Sequence, residues 1–577
     1  MSKPRRRGRA TTAPRSREAK ERDAPPERDA STPSAPAWRA RWAVLAGGVI
    51  ASAAVFAVYA RVEAPWFLLG FVVLVPWILV LPCALSWREA AGAGCAMSAA
   101  FVVAVFPWLP DAAAGYAHAP SLVTWLVAIA IAPILEPQLV VFAVVRHAAR
   151  RVTGGAPIPA AIAAACAYVA TELVVPKLFF DTLGQGLYPA TYLRQAADIA
   201  GVHGLTLVVL LVNEGFADAI RTWTRARAAR IPVPLAMSLG LVAVATGYGA
   251  VRYRQMAARG GRDVATSGAE GVRVQIGVVQ ANVTNYDKLR AEAGAYGAVR
   301  HVLDTHYALS DELCGRADLD LLVWPETVYP TTFGAPKSDA GAELDGEIRA
   351  FAAKRGVPLI FGAYDRDGDR EYNAAFFLGG SGDRPPSSPS YRKRMLFPLT
   401  EWVPEALDAE WLRSALPWTG RWQRGPGAQA VEVPLREHRA ITVVPLICYD
   451  ALFTDYVAEG ADKGADVIVT ISNDSWFPDE RAPRLHLISA AFRSIETRLP
   501  QVRATNSGIS AVITPAGDMT SITPWAERAA IVANVAVAPR ARPPRVLTGG
   551  WLAAVLGLLA AATLRAARSA QAESARG

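Results

Sequence analysis

The sequence predicts a multi-pass α-helical membrane domain joined to an α/β domain outside the bilayer. Hydrophobic residues make up 52% of the 577 residues, and the mean hydropathy of +0.20 is high for a soluble protein of this length. The apolar excess is concentrated in segments of about 20 residues, the length that crosses the hydrocarbon core of a bilayer. Residues 271–538 instead alternate between strand-like and helix-like segments, which is typical of an α/β fold.

A basic segment, residues 1–41, precedes the first apolar segment. It holds 12 Lys and Arg against 5 Asp and Glu, so it carries seven of the nine net positive charges of the chain. Its richness in Arg, Pro, Ser and Ala without apolar periodicity predicts a disordered tail. The rest of the chain is nearly neutral and lacks a stripe of Lys and Arg interleaved with aromatic residues, so no nucleic-acid partner is expected.

Eight membrane spans are predicted, seven within residues 42–252 and one at residues 546–564, followed by a C-terminal tail of residues 565–577. Charges are costly within such spans, and they mark either functional sites or paired structural groups. The acidic residues in or near the spans are Glu136, Glu172, Glu214 and Asp218. The approximate bounds of the first seven spans are 42–60, 64–86, 90–110, 119–145, 156–180, 201–220 and 231–251.

The distribution of Lys and Arg between the spans predicts the orientation of the chain. Loops on the cytoplasmic side of a membrane carry an excess of these residues. If the basic tail is cytoplasmic, the inner loops hold Arg88, Arg146, Arg150, Arg151, Arg221, Arg225, Arg227 and Arg230, and the outer loops hold Arg61, Lys177 and Arg194. This bias predicts that the domain of residues 271–538 faces the periplasm or the cell exterior.

The segment of residues 271–538 is expected to form strands and helices in alternation. The predicted strands are Val272–Val279, Leu321–Trp324, Pro358–Gly362, Ala374–Leu378, Ile441–Ile447, Val467–Ile471, Ile509–Thr514 and Ile531–Val537, and the predicted helices are Asp287–Leu313, Asp345–Lys354, Leu485–Arg498 and a helix-like stretch from Ala451 to Lys463. The five cysteines and seven histidines show no metal-binding spacing, so neither a metal nor a disulfide framework is expected.

Cys448 is the candidate nucleophile. It ends the apolar run Ile441–Ile447 and precedes the helix-like stretch, so free N–H groups and a helix dipole are expected beside the thiol. Both favour the thiolate, which is the reactive form. The alternative for the residue taken alone is a buried, inert cysteine.

Glu326 and Lys393 are the candidate partners of Cys448. Glu326 follows the strand Leu321–Trp324, and Lys393 lies among three consecutive cations, Arg392 to Arg394. Either residue alone is typical of a solvated turn or face. Acyl transfer through a thiol, however, requires a general base, a nucleophile and a positive charge for the oxyanion. Glu326, Cys448 and Lys393 supply these three groups.

Trp-Pro-Glu at 324–326, Tyr-Arg-Lys at 391–393 and Cys-Tyr at 448–449 together resemble the nitrilase or carbon–nitrogen hydrolase superfamily. The resemblance implies a four-layer α-β-β-α sandwich in which the three residues meet at strand ends. With seven spans before this domain and one after it, residues 42–565 resemble the apolipoprotein N-acyltransferase family. Further motifs that carry the resemblance start at Gln195 (QAADIAGVHGLT), Gly277 (GVVQAN), Asn473 (NDSWF) and Arg503 (RATNSGIS).

The resemblance implies a function and a set of supporting residues. The reaction is the N-acylation of the N-terminal S-diacylglyceryl-cysteine of apolipoproteins, with a phospholipid as acyl donor, through a thioester in a ping-pong mechanism. It is the last step of lipoprotein maturation and uses no cofactor. Glu401, eight residues after Lys393, matches a second functional glutamate of the family, and Tyr449 and Asp450 follow the nucleophile, with Asp450 where the family has Glu.

Two other functions are compatible with the motifs. A membrane-anchored amidase would use the same three residues with water as the acceptor, and a degenerate homologue would act as a non-enzymatic scaffold. The apolar loop that follows Glu401 is predicted to form a lipid-facing cover, the alternative being ordinary loop packing. Its apolar residues are Trp402, Val403, Leu407, Trp411, Leu412, Leu416 and Trp418.

Overall fold

The structure is a computed structural model that describes residues 37–84, 86–179, 182–226, 231–261, 272–284, 286–381, 390–436, 439–537, 539–545 and 549–574. Most of the predicted basic tail, residues 1–36, lies outside the described residues. Residues 37–41, which the sequence assigns to that tail, form the start of the first helix. Residues 546–548 at the start of the predicted last span also lie outside the described residues.

Fifteen α-helices occur among the described residues. They are α1 (Ala37–Tyr59), α2 (Val75–Val80), α3 (Trp87–Val105), α4 (Trp108–Ala117), α5 (Ser121–Leu135), α6 (Pro137–Val152), α7 (Pro157–Val174), α8 (Ala197–Ala226), α9 (Val233–Gly261), α10 (Tyr286–Arg316), α11 (Asp339–Arg355), α12 (Glu410–Ala415), α13 (Thr454–Asp462), α14 (Arg481–Thr497) and α15 (Gly549–Ser574). We call residues 37–261 the membrane domain, with α15 packed against it through α7.

Seven helical segments of the described residues are long and apolar enough to cross a membrane. An eighth is present if α5 and α6 form one span, bent by 50° at their junction. Pro133 and Pro137 flank the junction residue Glu136, and each proline removes a backbone donor, which explains the break. The predicted span 119–145 is therefore this bent pair, and the predicted span 90–110 is α3 followed by the separate short helix α4.

Three of the four acidic residues of the predicted spans, Glu136, Glu172 and Glu214, are paired with cations. Glu214 accepts a hydrogen bond of 2.9 Å from Arg146, and both side chains are buried. Lys177 lies 3.1 Å from Glu136 and 3.3 Å from Glu172. A buried charge requires such a partner because burial removes its hydration.

In the described part of the chain, thirteen strands form two sheets. They are β1 (Val272–Gln280), β2 (Leu321–Val323), β3 (Tyr329–Thr332), β4 (Leu359–Asp367), β5 (Arg370–Leu378), β6 (Tyr391–Arg392), β7 (Val431–Pro434), β8 (Ala440–Ile447), β9 (Val467–Ser472), β10 (Gln501–Thr505), β11 (Ala511–Ile513), β12 (Met519–Ile522) and β13 (Ala529–Val537). One sheet has the order β13-β1-β2-β4-β5-β6 with β3 beside β4, and the other has the order β12-β11-β10-β9-β8-β7.

The two sheets pack face to face, with helices on both outer faces. Apolar side chains of β1 and β8, such as Ile276 and Val443, meet in the core between the sheets. A second core joins the first sheet to α10 and α11, and two smaller ones join the second sheet to α13 and α14. The predicted α-β-β-α sandwich is confirmed, and we call residues 272–537 the sandwich domain.

Each predicted strand is present, with altered ends, but five strands escape the sequence pattern. The clearest is β10, in which Gln501, Arg503 and Thr505 are fully buried and hydrogen-bonded inside the domain. Val502 and Ala504 alternate with these polar residues, but two apolar residues among five do not distinguish a buried strand from a loop, and the burial of the polar face depends on partners that only the fold supplies. The sequence pattern misses β3, β6, β7 and β12 for a different reason. Each has only two to four residues, too few to show a period of two.

The sandwich domain is joined to the membrane domain by buried polar contacts. Arg498 donates to Asp198 Oδ2 at 2.7 Å and to Gln195 Oε1 at 2.6 Å. Where α8 kinks, Gly201 has a φ of +64°, and the next amide, Val202 N–H, donates to Glu496 at 2.9 Å. The QAADIAGVHGLT motif therefore holds the sandwich domain at a fixed place on the membrane domain.

Candidate active site

The three residues predicted to carry the chemistry lie at the ends of strands, on one edge of the sandwich. Glu326 follows β2, Lys393 follows β6 and Cys448 follows β8. Gly362 in β4 allows the chain to pass close behind Glu326, because a Cβ at that position would lie 2.6 Å from Glu326 Cα. The close approach of the β4 backbone at Gly362 therefore helps to fix the position of Glu326, in addition to its side-chain contacts.

Glu326, Lys393 and Glu401 form a buried ionic group that we call the site cluster. Lys393 Nζ lies 3.2 Å from Glu326 Oε1 and 2.7 Å from Glu401 Oε1. Burial lowers the pKa of Lys393, but the charges of Glu326 and Glu401 outweigh it and hold this pKa well above its usual value. Lys393 is therefore a permanent cation at the active site.

Two asparagines complete the site cluster. Asn373 Nδ2 donates to Glu326 Oε1 at 2.7 Å and to Glu401 Oε1 at 3.2 Å, and the backbone N–H of Asn473 donates to Glu326 Oε2 at 2.9 Å. The backbone N–H of Phe397 donates to Glu401 Oε2 at 2.7 Å. The sequence interpretation missed Asn373, whose only signal is an amide directly before the apolar run of β5.

Cys448 does not stand directly before an α-helix. Residues Cys448–Leu452 form a 3₁₀ turn, and α13 begins only at Thr454, so the prediction of a helix starting at Ala451 is wrong. Cys448 itself has a φ of +49°, a left-handed conformation that costs a non-glycine residue free energy. Because of this tight turn, the chain changes direction at Cys448 and does not continue along β8.

The expected depression of the thiol pKa is also wrong. Burial raises the pKa of Cys448 above its usual value, and the negative charge of Glu326 raises it further, while Lys393 acts in the opposite direction. The resting residue is accordingly a thiol. A base must remove its proton before or during attack, and Glu326 is the carboxylate whose charge acts on it most strongly, ahead of Asp474.

Tyr449 and Asp450 support the turn through hydrogen bonds to groups outside the site cluster. Tyr449 donates its hydroxyl to the backbone carbonyl of Leu178 at 2.8 Å, which ties the turn to the membrane domain. Asp450 accepts hydrogen bonds from the Tyr391 hydroxyl at 2.7 Å and from the backbone N–H of Met395 at 2.8 Å. The shorter acid at position 450 is thus long enough to join the turn to the segment that carries Lys393.

A second polar group approaches Cys448 from α14. Arg503 Nη2 lies 3.0 Å from both Asp474 Oδ2 and His486 Nδ1, so His486 Nδ1 accepts and His486 Nε2–H donates to the Cys448 carbonyl at 3.3 Å. Burial would raise the pKa of Asp474, but the positive charge of Arg503 holds it well below its usual value. The sequence motifs contain Asp474 and Arg503 without indicating this role.

Cys448, Asp474 and His486 are also the group among the described residues whose donor atoms could hold a metal, since these atoms lie within 4.8 Å of one another. Arg503 already donates to Asp474 and His486. A guanidinium in that position opposes the binding of a divalent cation, because the two positive charges would share one desolvated carboxylate. The donor set therefore fits an ion-pair network better than a metal centre.

On its open side, Cys448 faces a cavity between the sandwich domain and the membrane domain. Its empty space is about 490 Å³, counting the part open to solvent. Aromatic rings from both domains pack around it, with ring centroids 5.2 Å apart for Trp108 and Phe477 and 5.5 Å apart for Phe179 and Phe397. We call it the aromatic cavity, and its apolar walls suit a hydrocarbon chain.

Comparison with known proteins identifies both parts of the chain. Residues 275–541 match the family model for carbon–nitrogen hydrolases, and residues 51–214 match the model for the N-terminal domain of apolipoprotein N-acyltransferases. The apolipoprotein N-acyltransferase of Bdellovibrio bacteriovorus is 27% identical over 84% of this chain and 86% of its own length. That of Geobacter metallireducens is 27% identical over 80% of this chain and 84% of its own.

A solved structure, an amidase from a Nesterenkonia species, is 18% identical, with a TM-score of 0.34, over 47% of this chain and 91% of its own. The fold, the site cluster and the two matched family models define a membrane-bound acyltransferase with a carbon–nitrogen hydrolase domain. Within that class, the chain belongs to the apolipoprotein N-acyltransferase family.

Proposed function

We propose that this enzyme N-acylates the N-terminal S-diacylglyceryl-cysteine of apolipoproteins, with a membrane phospholipid as the acyl donor. The observation that carries the proposal is the location of Cys448 between two different environments. The charges of the site cluster act on its thiol, and the aromatic cavity lies beside it. A nucleophile in that location can attack an ester whose hydrocarbon chain remains in apolar surroundings.

In the first half-reaction, Glu326 takes the proton from the Cys448 thiol as the sulfur attacks the acyl ester carbonyl of the phospholipid. A C–S bond forms, and the carbonyl oxygen becomes an oxyanion. When the C–O bond of the ester breaks, the leaving lysophospholipid oxygen takes the proton from Glu326. The product is a thioester on Cys448, with Glu326 again ionised.

Lys393 is suited to stabilise the oxyanion. An ammonium group has three N–H donors, and two of those of Lys393 point to Glu326 and Glu401 among the described residues. The third remains for the substrate oxygen. A fixed positive charge in a site with little water lowers the barrier more than it would in bulk solvent, since the local dielectric constant is low.

In the second half-reaction, the α-amine of the diacylglyceryl-cysteine attacks the thioester and gives its proton to Glu326. The C–S bond breaks, an amide is formed, and the Cys448 sulfur recovers the proton. Water is the competing acceptor, and the aromatic walls of the cavity around Cys448 limit its access. The alternative of a small-amide hydrolase is not favoured, because the relatives and the N-terminal family model belong to acyltransferases.

The arrangement of the chain in the membrane belongs to the same proposal. With α5 and α6 counted as one span, seven spans precede the sandwich domain and one follows it. The excess of Arg in alternate loops then supports a periplasmic sandwich domain in a bacterial inner membrane. The proposed parts are a cytoplasmic tail (1–41), a seven-span domain (42–252), a catalytic domain (271–538), a last span (546–564) and a second cytoplasmic tail (565–577).

Intact mass spectrometry of the detergent-solubilised protein after incubation with phospholipid tests the proposal. The wild type is expected to gain the mass of one fatty acyl group, the adduct is expected to be labile to hydroxylamine, and Cys448→Ala is expected to show none. Adding a synthetic S-diacylglyceryl-cysteinyl peptide should discharge the adduct onto the peptide amine. A well-folded wild type without any adduct would contradict the proposal.

A further inference from the structure

A second cavity lies on the other side of the turn that carries Cys448. Its empty space is about 740 Å³, and its walls come from α7, α8, α13 and the start of α15. Leu452, the last residue of the Cys448–Leu452 turn, lines both this cavity and the aromatic cavity. One 3₁₀ turn of this length spans roughly 8 Å, so the second cavity is within reach of a substrate held at Cys448.

Two buried polar atoms at the second cavity have no hydrogen-bond partner among the described residues. Glu172 is 2% exposed and uses Oε1 to bind Lys177, but its Oε2 has no hydrogen-bond partner. His203 Nε2, which also borders the cavity, is buried without a partner. A buried carboxylate oxygen without a donor costs free energy, and native structures rarely retain one unless a ligand or water supplies the missing hydrogen bond.

Asp455, which is exposed to solvent as is Glu459 on the same helix, adds a second carboxylate to the cavity wall. Its Oδ2 lies against α15 at Gly549, where a Cβ would be 2.0 Å away, so only glycine leaves room for the carboxylate there. Burial raises the pKa of Asp455, while the positive charges of Arg493 and Arg545 lower it. The residual rise means that these cations only partly compensate the desolvation of the carboxylate.

The charged groups around the cavity leave a negative excess. The carboxylates are Glu136, Glu172, Asp455 and Glu496, and the cations that act on them are Lys177, Arg493 and Arg545. With all seven groups ionised, one negative charge remains uncompensated within this group. We call this space, lined by Glu172, His203 and Asp455, the acidic cavity.

We propose that the acidic cavity binds a primary ammonium group of a lipid substrate, an inference that rests on the proposed function. An ammonium group brings one positive charge and three N–H donors, which match the two carboxylates and, in its Nδ1–H tautomer, the Nε2 of His203. Such charge-assisted hydrogen bonds are about twice as strong as neutral ones. A phosphoglycerol headgroup has neither the charge nor the nitrogen donors.

Two substrates of the reaction carry a primary amine, and the geometry favours one of them. The acceptor amine must itself come within ~3.5 Å of the thioester carbon, so it cannot react while bound one turn away from Cys448. The ammonium of an ethanolamine headgroup is separated from the reacting ester by the phosphate and the glycerol. The acidic cavity therefore fits the headgroup of the acyl donor.

The test compares the two half-reactions in Glu172→Gln and Asp455→Asn. Acyl-enzyme formation is measured with phosphatidylethanolamine and with phosphatidylglycerol in mixed micelles, and acyl transfer is measured from preformed acyl-enzyme to a synthetic S-diacylglyceryl-cysteinyl peptide. Glu459→Gln is the matched control, because this exposed acid lies on α13 one turn after Asp455 and pairs with Lys463. Asp455→Asn alone carries the test if Glu172→Gln does not fold.

We expect the apparent KM for phosphatidylethanolamine to rise about tenfold in each cavity variant, the scale of one charge-assisted hydrogen bond, with phosphatidylglycerol and acyl transfer unchanged. A selective loss of acyl transfer would support an ammonium site that serves the acceptor. Wild-type KM values and transfer rates in both variants would overturn the proposal. A wild type that forms no acyl adduct with either lipid would instead contradict the proposed function.

Discussion

Two buried groups in this molecule have the same composition, one lysine between two glutamates, and only one of them is a candidate active site. In the site cluster, Lys393 binds Glu326 and Glu401. In the membrane domain, Lys177 binds Glu136 and Glu172, and we call these three residues the membrane cluster. Burial and net charge do not distinguish the two groups.

The clusters differ in what surrounds the carboxylates. In the site cluster both glutamates receive further hydrogen bonds, from Asn373, Asn473 and Phe397. In the membrane cluster Glu172 keeps one oxygen without a partner among the described residues. Within the same described residues, the site cluster is the one of the two whose charges act on the pKa of a thiol beside an apolar cavity. These differences support the site cluster as the candidate active site, and they make the unsatisfied oxygen of Glu172 part of the proposed ammonium site.

Replacing Lys393 and Lys177, one at a time, has the largest expected effect. The two variants distinguish a loss of acylation rate from a loss of stability. Lys393→Met should reduce the rate of acyl-enzyme formation at least ~10³-fold, because the oxyanion loses its cation. Lys177→Met leaves two buried carboxylates without their charge partner, which typically costs about 3–5 kcal/mol of stability. The measurements are single-turnover acylation followed by intact mass, and thermal unfolding in detergent.

The hydrogen bonds that remain on Glu326 and Glu401 should keep Lys393→Met folded, and circular dichroism provides the control. Acylation by the folded variant within tenfold of the wild-type rate would show that Lys393 is a structural partner like Lys177. The comparison between the clusters would then fail at its main point.

Asp450 is a buried carboxylate that belongs to neither cluster. Its burial predicts that the stability of the protein depends on pH. Burial raises its pKa from 3.8 to about 6, so the native state keeps a proton between these pH values that the unfolded chain loses. Stability should therefore fall as the pH rises through this window, by about 3 kcal/mol for the full shift. In Asp450→Asn this contribution is absent.

The measurement for Asp450 is the difference in unfolding free energy between wild type and Asp450→Asn at pH 4, 5, 6 and 7. The unfolding free energy of the wild type relative to that of Asp450→Asn should fall progressively as the pH rises to 6. The contributions of other titrating groups are common to both proteins and cancel in this difference. A difference that is constant over this range would mean that Asp450 is ionised throughout.

Short motifs at strand ends predict that Glu326, Lys393 and Cys448 lie together. Glu326 and Cys448 each follow an apolar run, and the ends of parallel strands meet at one edge of a sheet. Lys393 follows no apolar run, so it and Glu401 are indicated by the family resemblance and not by a strand pattern. The turn at Cys448 could not be predicted, since a left-handed residue and a 3₁₀ turn have no apolar periodicity.

Asn373 sharpens the comparison further, because the membrane cluster has no equivalent group bridging its glutamates among the described residues. Asn373→Ala removes one donor from Glu326 and one from Glu401, so both side chains gain rotational freedom. The expected result is a fall of about tenfold in the acylation rate constant, with an unchanged KM for phospholipid. Asn373→Asp is a second variant, whose added charge should reduce the rate further.

A rise in KM at an unchanged rate constant in Asn373→Ala would assign this residue to substrate binding. Its role as a bridge was not visible in the sequence for a physical reason. A single amide at the start of a strand gives no period, and its partners are separated by 47 and 28 residues along the chain. The same holds for the contact between Arg498 and Asp198, 300 residues apart, which only the fold brings together.

The smallest expected effect concerns the apolar loop that follows Glu401, a residue of the site cluster. Trp411 is 70% exposed, and Trp418 packs edge-on against Tyr116 of α4, with ring centroids 6.2 Å apart. Amphipathic indole rings of this kind anchor protein segments at a membrane surface. If the loop is a lipid-facing cover, replacing Trp411 and Trp418 by Ser should slow acylation by vesicle phospholipid a few-fold and leave acylation by detergent-dispersed short-chain lipid unchanged. Trp87→Ser, at another exposed tryptophan, is the control, and full activity of the double variant on vesicles would show that the loop only packs against α4.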